Sequence, residues 1–279
     1  MIFEFANARE ILTWYRDAGI DVALLDEPVN RFEESALKAS STKSVLQETK
    51  PSQSTLKPRR PNVPARTAQA TVPDHGTVER ATTLAENCKS LDELREAIEQ
   101  FDGCNLKFSA RTTVFCDGNP DSEIMLVGEA PGRDEDAQGL PFVGRSGQLL
   151  DKMLAAIGLD RQSVYISNLL PWRPPGNRTP TPAEAEICRP FIERHIELAA
   201  PEILILVGGA PSKALLNEKN GIMSLRGKWR SLSFGNRDIP VMPMLHPAYL
   251  LRTPGHKRLA WNDLLAVKTK IQQIGQSAV

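Results

Sequence analysis

Several residue types able to do chemistry recur in the same kind of place, directly behind a short apolar run. Behind Ile124–Val127 stands Gly128-Glu129-Ala130-Pro131-Gly132, followed by the acids Asp134, Glu135 and Asp136 and then by Pro141-Phe142-Val143-Gly144. Asn168 and the stretch Pro171–Arg178 follow Val164–Ser167, Gly208-Gly209 follows Ile203–Val207, and Leu245 and His246–Arg252 follow Ile239–Met244. A carboxylate can orient a water or offset positive charge, and an amide can read a hydrogen-bonding edge. An aromatic ring gives a stacking face, and an imidazole can donate to a developing anion. Each has a plainer reading when alone. Glycine and proline make turns, acids favour the first turn of a helix, Asn caps, Phe fills cores, and a His before Pro is often structural. Their recurrence in order points instead to one site.

The elements that must position them are legible from periodicity. Apolar runs at Ile124–Val127, Val164–Ser167, Ile203–Val207 and Ile239–Met244 read as strands. They alternate with helical patterns at Ser146–Ile157, Pro182–Leu198, Ala210–Leu216 and Lys257–Ile274. Ser90 with Glu93, and Thr181-Pro182 with Glu184, have the form of helix-starting capping boxes. The first opens a helix with Leu91, Leu94, Ile98 and Phe101 on one face. Strands alternating with helices imply an α/β fold, a three-layer α/β/α arrangement around a four-stranded parallel sheet. In such sheets ligands bind beyond the carboxyl ends of the strands, where the chemistry-bearing residues stand.

The rest of the chain has a different character. Residues 1–34 read as an N-terminal helical segment, with Ile11, Leu12, Trp14 and Tyr15 before Gly19, and 35–76 as a linker rich in Pro, Ser and Lys. The folded domain is expected over 77–279. Net charge is zero, yet residues 1–35 carry three Arg against eight acids while 36–75 carry seven Lys or Arg against two. A basic linker of this kind suits a weak tether to phosphates, and also a plain solvated spacer. No apolar stretch approaches a membrane span, and Met1-Ile-Phe-Glu-Phe has no signal-peptide form, so a cytoplasmic protein is expected. Cys88, Cys104, Cys116 and Cys188 are scattered with no C-x-x-C pair and are expected as reduced thiols.

Taken together, the motifs resemble the family-four branch of the uracil-DNA glycosylase superfamily. GEAPG with its acidic pair is Gly128–Gly132 with Glu135-Asp136, and PFVG-x-x-G-x-LL is Pro141–Gly144, Gly147 and Leu149-Leu150. The strand-end asparagine is Asn168, RPP-x-NR is Arg173–Arg178, RG-x-W is Arg226–Trp229, and HPAYLLR is His246–Arg252. The resemblance runs from about Cys104 to Val267. It implies a monofunctional glycosylase that flips uracil out of DNA and hydrolyses its N-glycosidic bond. Phe142 would stack on the base, Asn168 would read its edge beside Ala130, and His246 would stabilise the leaving anion. Other branches place Asp or Asn where Ala130 stands, so Glu129 or Glu135 must hold the water here; the sequence does not decide between them. Arg173, Arg178, Arg226, Lys228 and Arg252 would meet DNA, with Leu250 or Leu251 as a wedge. Uracil-containing DNA is the expected partner, met by a monomer away from any membrane.

One departure stands out. The resemblance implies a 4Fe-4S cluster on four cysteines, but only Cys104 and Cys188 match its ligand positions. Phe101 and Trp172 occupy the other two. No cofactor is therefore expected. Two other readings compete: a catalytically silent DNA-binding or polymerase-associated protein of the same fold, and a nucleotide-processing α/β enzyme. The latter is weakened by the lack of a phosphate-loop or strand-linked G-x-G-x-x-G motif.

Overall fold

The computed structural model describes residues 75–234 and 237–277. The expected N-terminal helical segment (1–34) and nearly all of the linker (35–76) lie outside the described residues. Three helices come first: α1 (His75–Asn87), α2 (Leu91–Gln100) and the single turn α3 (Leu106–Ser109). There follow β1 (Asp117–Gly118), β2 (Ile124–Gly128), α4 (Arg133–Gln138), α5 (Arg145–Ala155), β3 (Tyr165–Asn168), α6 (Pro182–Ala199) and β4 (Ile203–Val207). The chain continues through α7 (Gly209–Leu216), α8 (Ile222–Leu225), β5 (Arg230–Phe234), β6 (Arg237–Met244), α9 (Pro247–Arg252) and α10 (Lys257–Ser277).

The strands form one sheet in the order β1-β3-β2-β4-β6-β5. The inner four, β3-β2-β4-β6, run parallel, as expected, while β1 and β5 add antiparallel edges. β2 and β4 are buried along their whole length, which is why they read as unbroken apolar runs rather than alternating ones. Their side chains still divide by the two-residue period of a strand. Met125, Val127, Leu204 and Leu206 pack with Leu94, Ile98, Phe191 and Ile196 of α2 and α6. Ile124, Leu126, Ile203 and Ile205 pack with Leu150, Leu154, Ala260 and Leu264 of α5 and α10. Two apolar cores on opposite faces make the three layers. The chain passes from β2 to β3 on one side and then returns to β4 on the other, so the topological switch lies at the carboxyl end of β2.

Local chemistry fixes the helix starts. Thr181 Oγ1 accepts the Glu184 N–H at 3.2 Å, and the Glu184 carboxylate accepts the Thr181 N–H at 2.8 Å, with Pro182 in the first turn. Ser90 Oγ likewise accepts the Glu93 N–H at 3.2 Å, but Glu93 turns its carboxylate to the N–H of Lys89, one residue earlier than a reciprocal box requires. No described helix is long and apolar enough to cross a membrane.

The last layer is tied down by a buried ion pair. Asp263 on α10 is 1% exposed and accepts from Arg226 Nε at 2.9 Å and from its Nη2, which also donates to the Leu259 carbonyl. Removing one member of such a pair leaves an uncompensated buried charge. Asp263→Ala is expected to lower stability by about 3 kcal/mol, read as a reduced urea midpoint at an unchanged slope. A loss under about 1 kcal/mol would mean that the pair behaves as a solvated surface contact.

Candidate active site

The strand ends converge on a cavity of about 400 Å3 whose lining includes Glu129, Ala130, Glu135, Phe142, Asn168 and His246. Asn168 ends β3 directly beside Gly128, its partner in the parallel register. Gly128 is required by close approach: a Cβ there would lie 2.4 Å from Asn168 Oδ1 and 2.6 Å from the Phe142 ring. Amide and ring are thus brought together over a strand end that carries no side chain. The Phe142 ring also stacks near the His246 imidazole, with centroids 5.5 Å apart and planes inclined by 26°. Phe142 adopts φ +54°, a left-handed backbone that costs a non-glycine residue roughly 1–3 kcal/mol and persists only where its surroundings hold it.

Burial sets the electrostatics. It holds the His246 imidazole down at about 4, with Arg252 acting in the same direction, so the ring is neutral at neutral pH. Nδ1 of that ring accepts the Ala248 N–H at 3.1 Å, which leaves Nε2 as the protonated, donating nitrogen. The same desolvation pushes the Glu129 carboxyl above the usual glutamate range, and no other cause contributes. Glu135 is placed differently. Its two oxygens accept the N–H of Gly132 at 3.0 Å and of Gly144 at 2.9 Å, joining the GEAPG turn to the PFVG turn. Asp136 is turned away to the segment before β1, where it accepts the Arg111 N–H at 2.7 Å.

The residues expected to meet DNA divide sharply. Arg252 lines the cavity and is exposed; Lys228 is exposed but is not among the lining residues. Leu251 is 39% exposed, whereas Leu250 is 1% exposed and belongs to the apolar core, so only Leu251 is free to act as a wedge. Arg226 is engaged by Asp263, and Arg178, exposed and lining the cavity, makes a bidentate pair with Glu184 at 2.8 and 2.5 Å. Arg173 donates to Asn177 at 2.6 Å and lies 3.8 Å from Asp136. The cavity also takes in Ser146, Asn177 and Thr179. Of these, Asn177 carries a sequence signal, since it stands inside the Arg173–Arg178 motif.

The four cluster positions lie in the core. Cys104 and Cys188 are both buried free thiols, and the Cys188 thiol is pushed well above its usual range by interaction with Cys104 and by burial. Phe101 packs edge-on against Phe191 with ring centroids 5.0 Å apart, while Trp172 donates its indole N–H to Thr113 Oγ1 at 3.1 Å. The remaining thiols are engaged elsewhere: Cys88 Sγ donates to the Leu84 carbonyl at 3.2 Å, and Cys116 Sγ accepts from Arg95 at 3.6 Å. No group of three or more His, Cys, Asp or Glu suited to a metal occurs among the described residues. Two thiols and two apolar rings do not fit a cluster that takes four thiolates.

Comparison with known proteins agrees with this geometry. The family model described as the uracil DNA glycosylase superfamily matches residues 115–265. A type-4 uracil-DNA glycosylase of Archaeoglobus fulgidus is 39% identical over 170 residues, which cover 60% of this chain and 85% of the relative. Those of Thermotoga maritima (35% identical over 188 residues, 66% of this chain and 96% of the relative) and Sulfurisphaera tokodaii (34% over 184, 64% and 84%) are similar too. The fold, the convergence of motifs at its switch point and these matches agree: the chain belongs to the uracil DNA glycosylase superfamily.

Proposed function

We propose that this chain is a monofunctional uracil-DNA glycosylase that hydrolyses the N-glycosidic bond of deoxyuridine in DNA and so initiates base excision repair. The observation that carries the reading is a single cavity lined by a stacking ring, an amide, a neutral imidazole and a desolvated carboxylate. Its relatives are named for the same activity.

Reaching the bond requires extruding the nucleotide at a cost of roughly a few kcal/mol, which contacts in the pocket must offset. Phe142 receives the base. Asn168 accepts from N3–H of uracil and donates to O4; cytosine presents the reverse pattern and would leave buried polar groups unpaired. The N1–C1′ bond breaks with its electron pair left on uracil, and His246 donates Nε2–H to O2 as that charge develops. A neutral donor needs no protonation step, which suits an imidazole held near 4. Water adds its hydroxyl to C1′, and Glu129 takes its proton. Glu129 is favoured over Glu135 for this role because both Glu135 oxygens already accept backbone N–H groups. Glu135 then acts as a positioning residue. Arg252, Lys228 and Leu251 supply the DNA contacts of this reading together with Arg178, which lines the cavity while paired to Glu184, and Arg173 and Arg226 serve the fold. The protein works without an iron–sulfur cluster, a reading supported by the aromatic rings at two of the ligand positions, which leave only the thiols Cys104 and Cys188 at the others.

The roles of Asn168 and His246 differ in kind, so their loss is expected to differ too. His246→Ala should lower single-turnover excision by roughly a hundredfold or more at nearly unchanged DNA affinity, the scale of a lost oxyanion donor. Asn168→Asp should lose the bond to O4 and with it uracil preference, measured on uracil and cytosine oligonucleotides. Wild-type-like excision by His246→Ala would sink the leaving-group role. Binding without any turnover in the unaltered protein would support the silent DNA-binding alternative instead.

The pH dependence has a defined sign. Glu129 must be ionised, and its raised pKa means that activity falls with decreasing pH at a midpoint above the ordinary glutamate value of about 4.3. Protonation of His246 near 4 comes later. Glu129→Gln is expected to be slow and to lose this acidic limb, whereas Glu135→Gln should keep it at a reduced rate. A limb that persists in Glu129→Gln would reassign the base.

Metal analysis of anaerobically purified protein should find no stoichiometric iron or zinc. A brown preparation with about four irons per chain would overturn the cluster-free reading.

A further inference from the structure

We infer that Arg161, a residue outside the cavity, is a positioning residue that holds the base-stacking ring of Phe142 in place; the inference rests on the proposed glycosylase reading. Arg161 lies in the loop between α5 and β3, and its guanidinium forks onto two successive carbonyls of the PFVG turn. Nη1 donates to Pro141 O at 3.2 Å and Nη2 donates to Phe142 O. The guanidinium is itself anchored by Asp151 from α5, with Nε donating at 2.9 Å, and by Asp117 from β1, with Nη1 donating at 2.5 Å. Its planar donor set is thus shared between carboxylates that orient it and carbonyls that it orients, a geometry that a lysine's single ammonium cannot reproduce.

Phe142 needs such a restraint. Its left-handed φ of +54° is one that a β-unbranched aromatic residue leaves readily unless both of its flanking peptide planes are held. On the other side the first turn of α5 closes in: a Cβ on Gly147 would lie 1.6 Å from the Phe142 carbonyl oxygen. That oxygen is therefore confined between the Gly147 backbone and the Arg161 guanidinium. The direction of the Phe142 ring follows from this confinement, because the same backbone sets where Cβ leaves the chain. The ring reaches both the Gly128 strand end and the His246 imidazole only in this setting. An ordinary structural role through ion pairing explains less. The Arg161 side chain is 26% exposed and its partners Asp117 and Asp151 are 25% and 45% exposed. Ion pairs at this partial burial anchor the guanidinium but do not account for its two donations to the turn carbonyls.

The test is a double-mutant cycle in the 279-residue chain, with single-turnover excision on a uracil oligonucleotide and thermal unfolding measured for each variant. Arg161→Gln is expected to slow excision about tenfold while remaining folded at the assay temperature, and Phe142→Ala about a hundredfold. In the double variant the Arg161 change should then add less than about twofold, since the ring it positions is gone. Arg161→Lys, which keeps the charge beside Asp117 and Asp151 but loses the fork, should stay close to the Gln variant. Full multiplication of the two effects, recovery of wild-type rate by Lys, or a rate loss that tracks the unfolded fraction would each overturn the inference. An unaltered protein that excises no uracil would overturn the glycosylase reading and this inference with it. An active one with independent Arg161 and Phe142 effects would overturn only the positioning role.

Discussion

At Gly128 the central strand ends in backbone alone, and the Phe142 ring and the Asn168 amide fill the space that a Cβ would need. The rest of the site depends on that close approach. β2 and β3 stay in register up to the Gly128 and Asn168 pair, so the amide arrives at the cavity on a fully buried strand rather than on a loop. The ring comes from the far side on a turn of unfavourable backbone conformation, held at its carbonyl by α5. A pocket assembled from strand ends is well suited to reading a flat base, because its walls cannot relax independently of the sheet.

Burial at the cavity acts on the two titratable groups in opposite senses and for one reason. Burial disfavours whichever form is charged, so it raises Glu129 and lowers His246. The imidazole therefore remains a neutral donor whose tautomer is fixed by the Ala248 N–H, while the carboxylate is kept basic for its type. Glu135 sits in the same acidic run, yet its environment differs because two backbone amides bind it. Position relative to the turns, not residue type, separates the two carboxylates.

How far this could be read from the chain follows from the same physics. The four parallel strands were legible because burial on both faces writes them as continuous apolar runs, and the α6 start because its cap is local. β5 escaped because Arg-Ser-Leu-Ser-Phe at an exposed edge has little apolar signal, and β1 because two residues carry none. α4 was missed since Arg133–Gln138 is one charged turn and a half with no apolar stripe. That Glu129, Phe142, Asn168 and His246 line one cavity was legible through their placement behind strands. What sequence could not separate was Glu129 from Glu135, or Leu250 from Leu251, because neighbours in the chain differ only in what folds over them. Arg161 was invisible for a related reason: it acts on carbonyl groups about 20 positions away, and a backbone acceptor leaves no residue-type signature.

The arginines show how a DNA-binding surface narrows once partners are assigned. Counting cations in the motifs suggests a broad basic face, but a guanidinium whose donors are filled by a carboxylate has little left for a phosphate. Arg178 and Arg226 are committed in this way to Glu184 and Asp263. The cations that stay exposed include Arg252, which lines the cavity, and Lys228, Lys257 and Arg258 on the described surface, while Arg178, though paired, is exposed at the cavity as well. On the proposed reading, phosphate contacts would position the DNA without reading its sequence. Discrimination between bases would then fall on the pocket, where the Asn168 amide and the Phe142 ring meet over the strand end at Gly128.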